Sequence, residues 1–214
     1  MNTYDKLIKL YQDKKLTVGE LHCVYLSIKE YQYMGRSITK KEVSYFEKYK
    51  NQFNAPKIFI IGNAFGFSTF ALNYIFENAS IDVIDAESEG VHNKEGSRIT
   101  NELIKENGFD INLTIGYSPQ DIKTATRFEK YDIVFIDGMH TNEQVLKDFY
   151  GIKPYLKTDW ICFMHDVRLA SLQSSMNEII KNEHDIITSS IIELPEMLSE
   201  SGMGIVSNNV PILL

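Results

Sequence analysis

Apolar residues are spaced in two different ways along this chain. From residue 4 to 53 they recur at helical intervals. Leu7, Leu10 and Tyr11 fall on one face, and Val43, Phe46, Glu47 and Lys50 continue the rhythm. Thr17 with Glu20, and Thr39 with Glu42, have the spacing of capping boxes and predict helix starts. Pro56 closes this region.

Beyond Pro56, short apolar runs alternate with amphipathic stretches. Strands are expected at 57–61, 81–84, 111–115, 132–136 and 160–164, and helices at 68–77, 95–107, 120–126, 142–150 and 169–182. The strands lack polar alternation, so both faces of their sheet must be covered, as in a parallel sheet between helical layers. Repeated βα units predict an α/β fold, a doubly wound, mostly parallel seven-stranded sheet. The tail differs. Residues 186–192 and 203–206 flank a Pro-containing loop and predict a C-terminal antiparallel hairpin that closes the sheet. Two units are expected, an N-terminal helical cap or lid at 1–56 and the sheet domain at 57–214.

Composition narrows the class. A chain of 214 residues with 43% hydrophobic content supports a sizeable core and is too apolar for disorder. Residues 1–15 lack the apolar stretch of a signal peptide. No apolar run reaches the roughly 18–20 residues that span a bilayer, so a cytoplasmic protein without membrane partners is expected. Cys23 and Cys162 form no metal or disulfide pattern, and Cys162 reads as a small buried side chain. The net charge of −7 argues against nucleic-acid binding. It is unevenly spread, +4 over residues 1–56 and −11 over the rest. A basic cap on an acidic body suits an anionic substrate; the plainer reading is a solvated helical face.

Candidate chemistry begins at the first βα turn, residues 62–69. Gly62 permits a tight exit from the strand, Gly66 permits close backbone approach to a ligand, and Ser68 and Thr69 can cap the next helix. Rival motifs fit poorly. Ala64 breaks the dinucleotide pattern, no Walker lysine follows, and Gly66-Phe67-Ser68-Thr69-Phe70 lacks the second glycine of a nucleophile elbow. Asp85 ends the second strand, with Glu87 just beyond, where an acid can hold ribose hydroxyls. Tyr117 is placed to pack on an adenine ring and Ser118 to bond its edge; a plain surface turn fits these two equally well.

Ile60-Ile61-Gly62-x-x-x-Gly66-x-Ser68-Thr69, Ile84-Asp85, Gly116-x-Ser118, Ile136-Asp137-Gly138-x-His140 and His165-Asp166-Val167 occur in order. From residue 57 to about 206 this set resembles the class I S-adenosylmethionine-dependent methyltransferases. Within them it is most similar to the small metal-dependent O-methyltransferases of sugar and natural-product tailoring. The resemblance implies a Rossmann-like domain that holds S-adenosylmethionine through Gly62, Asn63, Gly66, Ser68, Asp85, Tyr117, Ser118 and Asp137. One departure stands out. The family usually carries an acid where this chain has Ile60, which moves the contact with the methionine end onto backbone amides and Asn63.

The resemblance also makes the fourth and fifth strands neighbours, about 4.8 Å apart. Asp137, His140, His165 and Asp166 would then converge at one edge of the cleft. Asp137, Asp166 and His165 are the expected metal ligands, with His165 alternatively in support, and His140 is the expected base acting beside Asp137. Two carboxylates suit Mg²⁺, and a nitrogen ligand tilts the preference toward Mn²⁺. A cation lowers the pKa of an acceptor hydroxyl while the base takes its proton. The alternative is that both Asp side chains cap helices and His165 is simply buried. Arg168 could hold an anionic substrate group, and Tyr25, Tyr31, Tyr33 and Met34 could line a lid. His22, His92 and His184 have no evident partners.

The leading expectation is a metal-assisted O-methyltransferase of a small hydroxylated molecule, such as a sugar, nucleotide sugar or secondary metabolite. N-methylation, a catalytically silent cofactor-binding regulator, and a metal-dependent hydrolase are the rivals. Self-association is left open.

Overall fold

The computed structural model describes residues 1–12, 14, 16–20, 24–29, 32–168, 170–193 and 202–213. Its centre is a seven-stranded sheet. Five strands are parallel: β4 (Lys57–Ile61), β5 (Ser80–Asp85), β6 (Ile111–Ile115), β7 (Tyr131–Ile136) and β8 (Leu156–Met164). The hairpin β9 (Thr188–Ile192) and β10 (Met203–Asn208) adds antiparallel strands beside β8. The order is β6-β5-β4-β7-β8-β10-β9. The chain leaves β4 toward β5 on one side and returns to β7 on the other, so the strand order reverses between β4 and β7. Ligands of such sheets bind at the carboxyl ends of the strands near that reversal.

Strand alternation explains the two cores. Ile58, Ile60, Ile133, Phe135, Ile161 and Phe163 point to one buried face. Phe59, Ile61, Val134, Ile136, Cys162 and Met164 point to the other. The first face is covered by α3 (Phe67–Ile75), α4 (Val91–Asn107) and the N-terminal segment. The second is covered by α5 (Ile122–Ala125), α6 (Asn142–Ile152) and α7 (Gln173–Asn182). Strand β8 begins before the expected residue 160, and α7 starts later than the expected 169.

The N-terminal region departs from the helical expectation. Helices α1 (Thr3–Gln12) and α2 (Lys40–Glu47) form at its ends. Between them lies an antiparallel sheet of β1 (Thr17–Glu20), β2 (Val24–Ile28) and β3 (Tyr33–Ser37). Leu26, Ser27 and Ile28 are all buried, and the apolar pair among them stands two residues apart, the period of a strand. Thr17 therefore opens a strand and caps no helix. The Thr39/Glu42 capping box forms as expected, with each side chain bonding the other's backbone N–H. Phe46 of α2 seats its ring 5.5 Å from Phe135 and 5.0 Å from Phe163, so this helix lies directly on the sheet. His22, Cys23, Tyr31 and the Pro195 loop lie outside the described residues, as does the side chain of Tyr25. No helix among the described residues is long and apolar enough to cross a membrane.

Candidate active site

A cavity of about 760 Å³ opens at the carboxyl ends of β4, β5, β6 and β7. The first βα turn forms one wall. Gly62 adopts φ +97°, and a Cβ there would come within 2.2 Å of the Asp137 carbonyl oxygen. Only glycine lets β4 and β7 end this close together. Gly66 also has positive φ, but the atom a Cβ would meet is Thr100 Oγ1 of α4 at 2.6 Å, and Gly66 does not line the cavity. Its close approach is to the protein's own helix. Helix α3 starts at Phe67 with Gly66 as its N-cap and no side-chain cap. Ser68 and Thr69 therefore cap nothing, although Ser68 lines the cavity.

Asp85 braces this turn. Its Oδ2 accepts from the N–H groups of Asn63 at 2.6 Å and Ala64 at 3.1 Å, and its Oδ1 from Glu87 N–H at 2.6 Å. The carboxylate lines the cavity with lone pairs remaining for a hydroxyl donor. The Asn63 amide is spent on Ala64 O and Thr100 Oγ1, and its oxygen accepts from Thr69. Tyr117 is exposed at the cavity mouth and Ser118 lies deeper. Ile60 is fully buried in the core and does not reach the cleft.

The other end of the cavity carries the charge. Asp137 Oδ1 lies 2.9 Å from His165 Nδ1 and 3.3 Å from His140 Nε2. Asp166 Oδ2 is 3.6 Å from His165 Nδ1 and 3.8 Å from His140 Nδ1. Asp166 reaches there from a backbone at φ +53°, a conformation costly for a side-chain-bearing residue. Neither acid caps a helix: Thr141 caps α6, and Leu172 is the N-cap of α7.

A fifth member comes from the N-terminal segment. Glu42 Oε1 lies 3.0 Å from His165 Nε2, while Oε2 accepts from Thr39 N–H at 2.7 Å. In sequence Glu42 reads only as a capping-box residue, and its second role depends on α2 docking on the sheet. His165 thus sits between two carboxylates. Burial alone would lower its pKa, but the charges of Asp137 and Glu42 outweigh that and raise it well above the usual histidine value. Burial would likewise raise Asp137, yet the His165 charge and the His140 hydrogen bond hold it ionised, far below the carboxylate range. His140 is raised too, because Asp137 and Asp166 overcome its burial. Burial raises Asp166, with the Asp137 charge adding to it.

Among the described residues, ligand atoms of Asp137, His140 and His165 all lie within 4.8 Å of one another, a spacing that fits one metal ion; His140 stands in this group where Asp166 was expected. Three carboxylates face two imidazoles here, so the cluster keeps negative charge to offer a cation. Both His165 nitrogens are buried without a well-aligned hydrogen bond. The set is richer in nitrogen than Mg²⁺ prefers and closer to a Mn²⁺-type site.

The N-terminal segment also walls the cleft. Met34, Gly35, Arg36 and Ser37 of β3 line it opposite the turn. His92 of α4, which showed no partner in sequence, accepts the Met34 N–H at 3.2 Å and meets Tyr33 edge to face. Arg168 is not part of the site. It pairs with Glu193 at 2.5 Å, beside the C-terminal hairpin.

Residues 59–167 match the sequence model of a family described as a methyltransferase domain. No curated protein sequence matches the chain. Solved structures share its fold at low identity. An O-methyltransferase from Bacillus cereus in complex with SAH is 15% identical with a TM-score of 0.66, over 96% of this chain and 90% of that one. The O-methyltransferase TomG from Streptomyces achromogenes, involved in tomaymycin synthesis and solved with SAM, is 14% identical with a TM-score of 0.69, over 97% and 90%. Cofactor-bound Rv0187 from MTB is 10% identical with a TM-score of 0.68, over 96% and 88%.

Proposed function

The chain belongs to this methyltransferase-domain family, and on that premise we propose that it is a divalent-metal-assisted O-methyltransferase of a small hydroxylated molecule, with S-adenosylmethionine as methyl donor. A sugar, nucleotide sugar or secondary metabolite is the favoured acceptor class. One observation carries the reading. Two acids and two imidazoles from the ends of β7 and β8 meet at the edge of a cleft that begins at a glycine turn.

When bound, S-adenosylmethionine supplies an electrophilic methyl group, and a divalent ion lowers the pKa of the acceptor hydroxyl. The chain's own residues do the rest. Asp85, Ser118 and the backbone of the first turn orient the adenosine end. Asp137 and His165 would hold the ion, with Asp166, 3.6 Å from His165, completing the set in place of His140. His140, the most exposed of the four, takes the acceptor proton. It must be neutral to do so, and its pKa is raised. Turnover should therefore climb with pH along a limb above the ordinary histidine value of about 6.5.

A second reading has one observation behind it. An imidazolium held between Asp137 and Glu42 has no lone pair for a metal, and could itself serve as the positive charge of the site. The test is S-adenosylhomocysteine formation over a panel of phenols, catechols and sugars, with Mg²⁺, with Mn²⁺ and with a chelator. The proposal expects turnover on a hydroxyl acceptor that is lost with the chelator and restored by Mn²⁺. Full turnover in chelator would replace the metal by His165. Methylation of amines alone would overturn the O-methyl assignment.

A further inference from the structure

Helix α6 puts a carboxyl at the cavity that neither the sequence reading nor the reaction above uses. Asp148 is fully buried and lines the cleft. One turn earlier, Gln144 Nε2 donates to Asp148 Oδ1 at 2.7 Å and to Ser118 O at 2.8 Å. That clamp occupies one carboxyl oxygen and ties α6 to the turn after β6. The other oxygen, Oδ2, and the buried Ser118 Oγ make no well-aligned hydrogen bond among the described residues, although the Ser118 hydroxyl faces the carboxyl closely enough to favour its charge. No ion pair to Asp148 forms among those residues. Gly138 lies beside it: a Cβ at that position would come within 3.6 Å of Oδ2 and 3.3 Å of Ile61 Cγ2. Buried polar atoms are nearly always satisfied, so two poorly satisfied ones on one cavity wall, an acceptor beside a donor, point to a ligand.

Their chemistry specifies the ligand's edge. A carboxylate only accepts, and a serine hydroxyl can donate. The complement is an edge that donates through an amine and accepts at the neighbouring ring nitrogen. The Watson–Crick edge of adenine is such an edge; a 6-oxopurine presents the opposite pattern. We propose that Asp148 Oδ2 accepts the exocyclic amine of the cofactor's adenine, with Ser118 donating to the adjacent ring nitrogen, which makes Asp148 the residue that selects adenine. The inference rests on the S-adenosylmethionine reading above. Burial pushes the Asp148 pKa up to about 6, which still leaves it mainly ionised and accepting at neutral pH.

The experiment is calorimetry of the full chain with S-adenosylhomocysteine and with its 6-oxo analogue, S-inosylhomocysteine. Wild type should prefer the adenine compound by about 30-fold or more, because a reversed edge leaves buried groups facing like groups. In Asp148→Asn the amide can turn to donate, and the preference should shrink to about 3-fold or less. A merely structural Asp148 would lower the unbound protein's Tm when changed to Asn. The proposal expects the Tm to hold or rise, since a buried charge is removed. Unchanged preference in Asp148→Asn overturns the assignment while the cofactor reading stands. Equal binding of both compounds by wild type overturns it without any variant. Wild type that binds neither compound removes the cofactor reading, and this one with it.

Discussion

The two ends of the cleft are built on opposite principles. At the end proposed for adenosine, rigid backbone does most of the work. Gly62 and the Asp85-braced turn are fixed by hydrogen bonds within the protein, and the unfilled groups, Ser118 Oγ and Asp148 Oδ2, are few. At the reactive end, ionisable side chains alternate from Glu42 through His165, Asp137 and His140 to Asp166. Each carboxylate there raises an imidazole, and the imidazoles hold Asp137 ionised. A binding surface gains from groups that do not move. A proton-transferring surface needs groups whose charge can change. On the proposed function, the difference gives recognition to one end and chemistry to the other.

Substitutions can break or sharpen this division. The largest effect is expected from His140→Ala, which should lower turnover by about 10²–10⁴-fold while cofactor affinity stays within about 3-fold. Gly62→Ala should harm both ends together, because the new Cβ meets the Asp137 carbonyl and the residue sits at positive φ. A loss of about 2–4 kcal/mol in denaturant unfolding is expected from overpacking and strain combined. A loss under about 0.5 kcal/mol would mean that the two ends are not rigidly joined.

Glu42→Gln is expected to act on the reactive end alone, lowering turnover about 10-fold with cofactor binding unchanged. A purely structural role would not move the His165 titration. The proposal expects its ring-proton NMR midpoint to shift to lower pH, since one of the two carboxylates that raise it is gone.

The smallest effect concerns Asp148. Its folded pKa of about 6 exceeds the unfolded value near 3.9, so the folded state binds more protons between those values. Stability from this group is therefore highest below about pH 4 and is lost as pH rises through 6. Asp148→Asn should stabilise the unbound protein by about 1–2 kcal/mol at pH 7 and flatten its stability over pH 4–6. Destabilisation at pH 7 would contradict the picture of a carboxyl kept for a ligand.

Much of the sheet was legible because both its faces are buried. Runs such as 57–61 and 132–136 have one physical solution, a covered parallel strand. The same holds for Asp137, His140, His165 and Asp166, since each sits just past the end of such a strand. The N-terminal segment was harder to read. Leu26 and Ile28 mark a strand, but their period is brief and flanked by genuine helices at α1 and α2. Glu42 and Asp148 were missed for a different reason. Each lies in an amphipathic helix where an acid ordinarily faces water. Only docking of α2 on the sheet, and of α6 beneath Gly138, makes them buried. Their burial is a tertiary fact with no local signal. Gly66 shows the converse error. A glycine read as room for a ligand is room for Thr100.

The most direct test compares wild type and His140→Ala in parallel, measuring S-adenosylhomocysteine affinity by calorimetry and methyl transfer to a hydroxyl acceptor in the presence of Mn²⁺. Equal affinity with transfer lost in the variant is the predicted result. Near-normal transfer by His140→Ala, or loss of binding together with transfer, would contradict a cleft that binds at one end and reacts at the other.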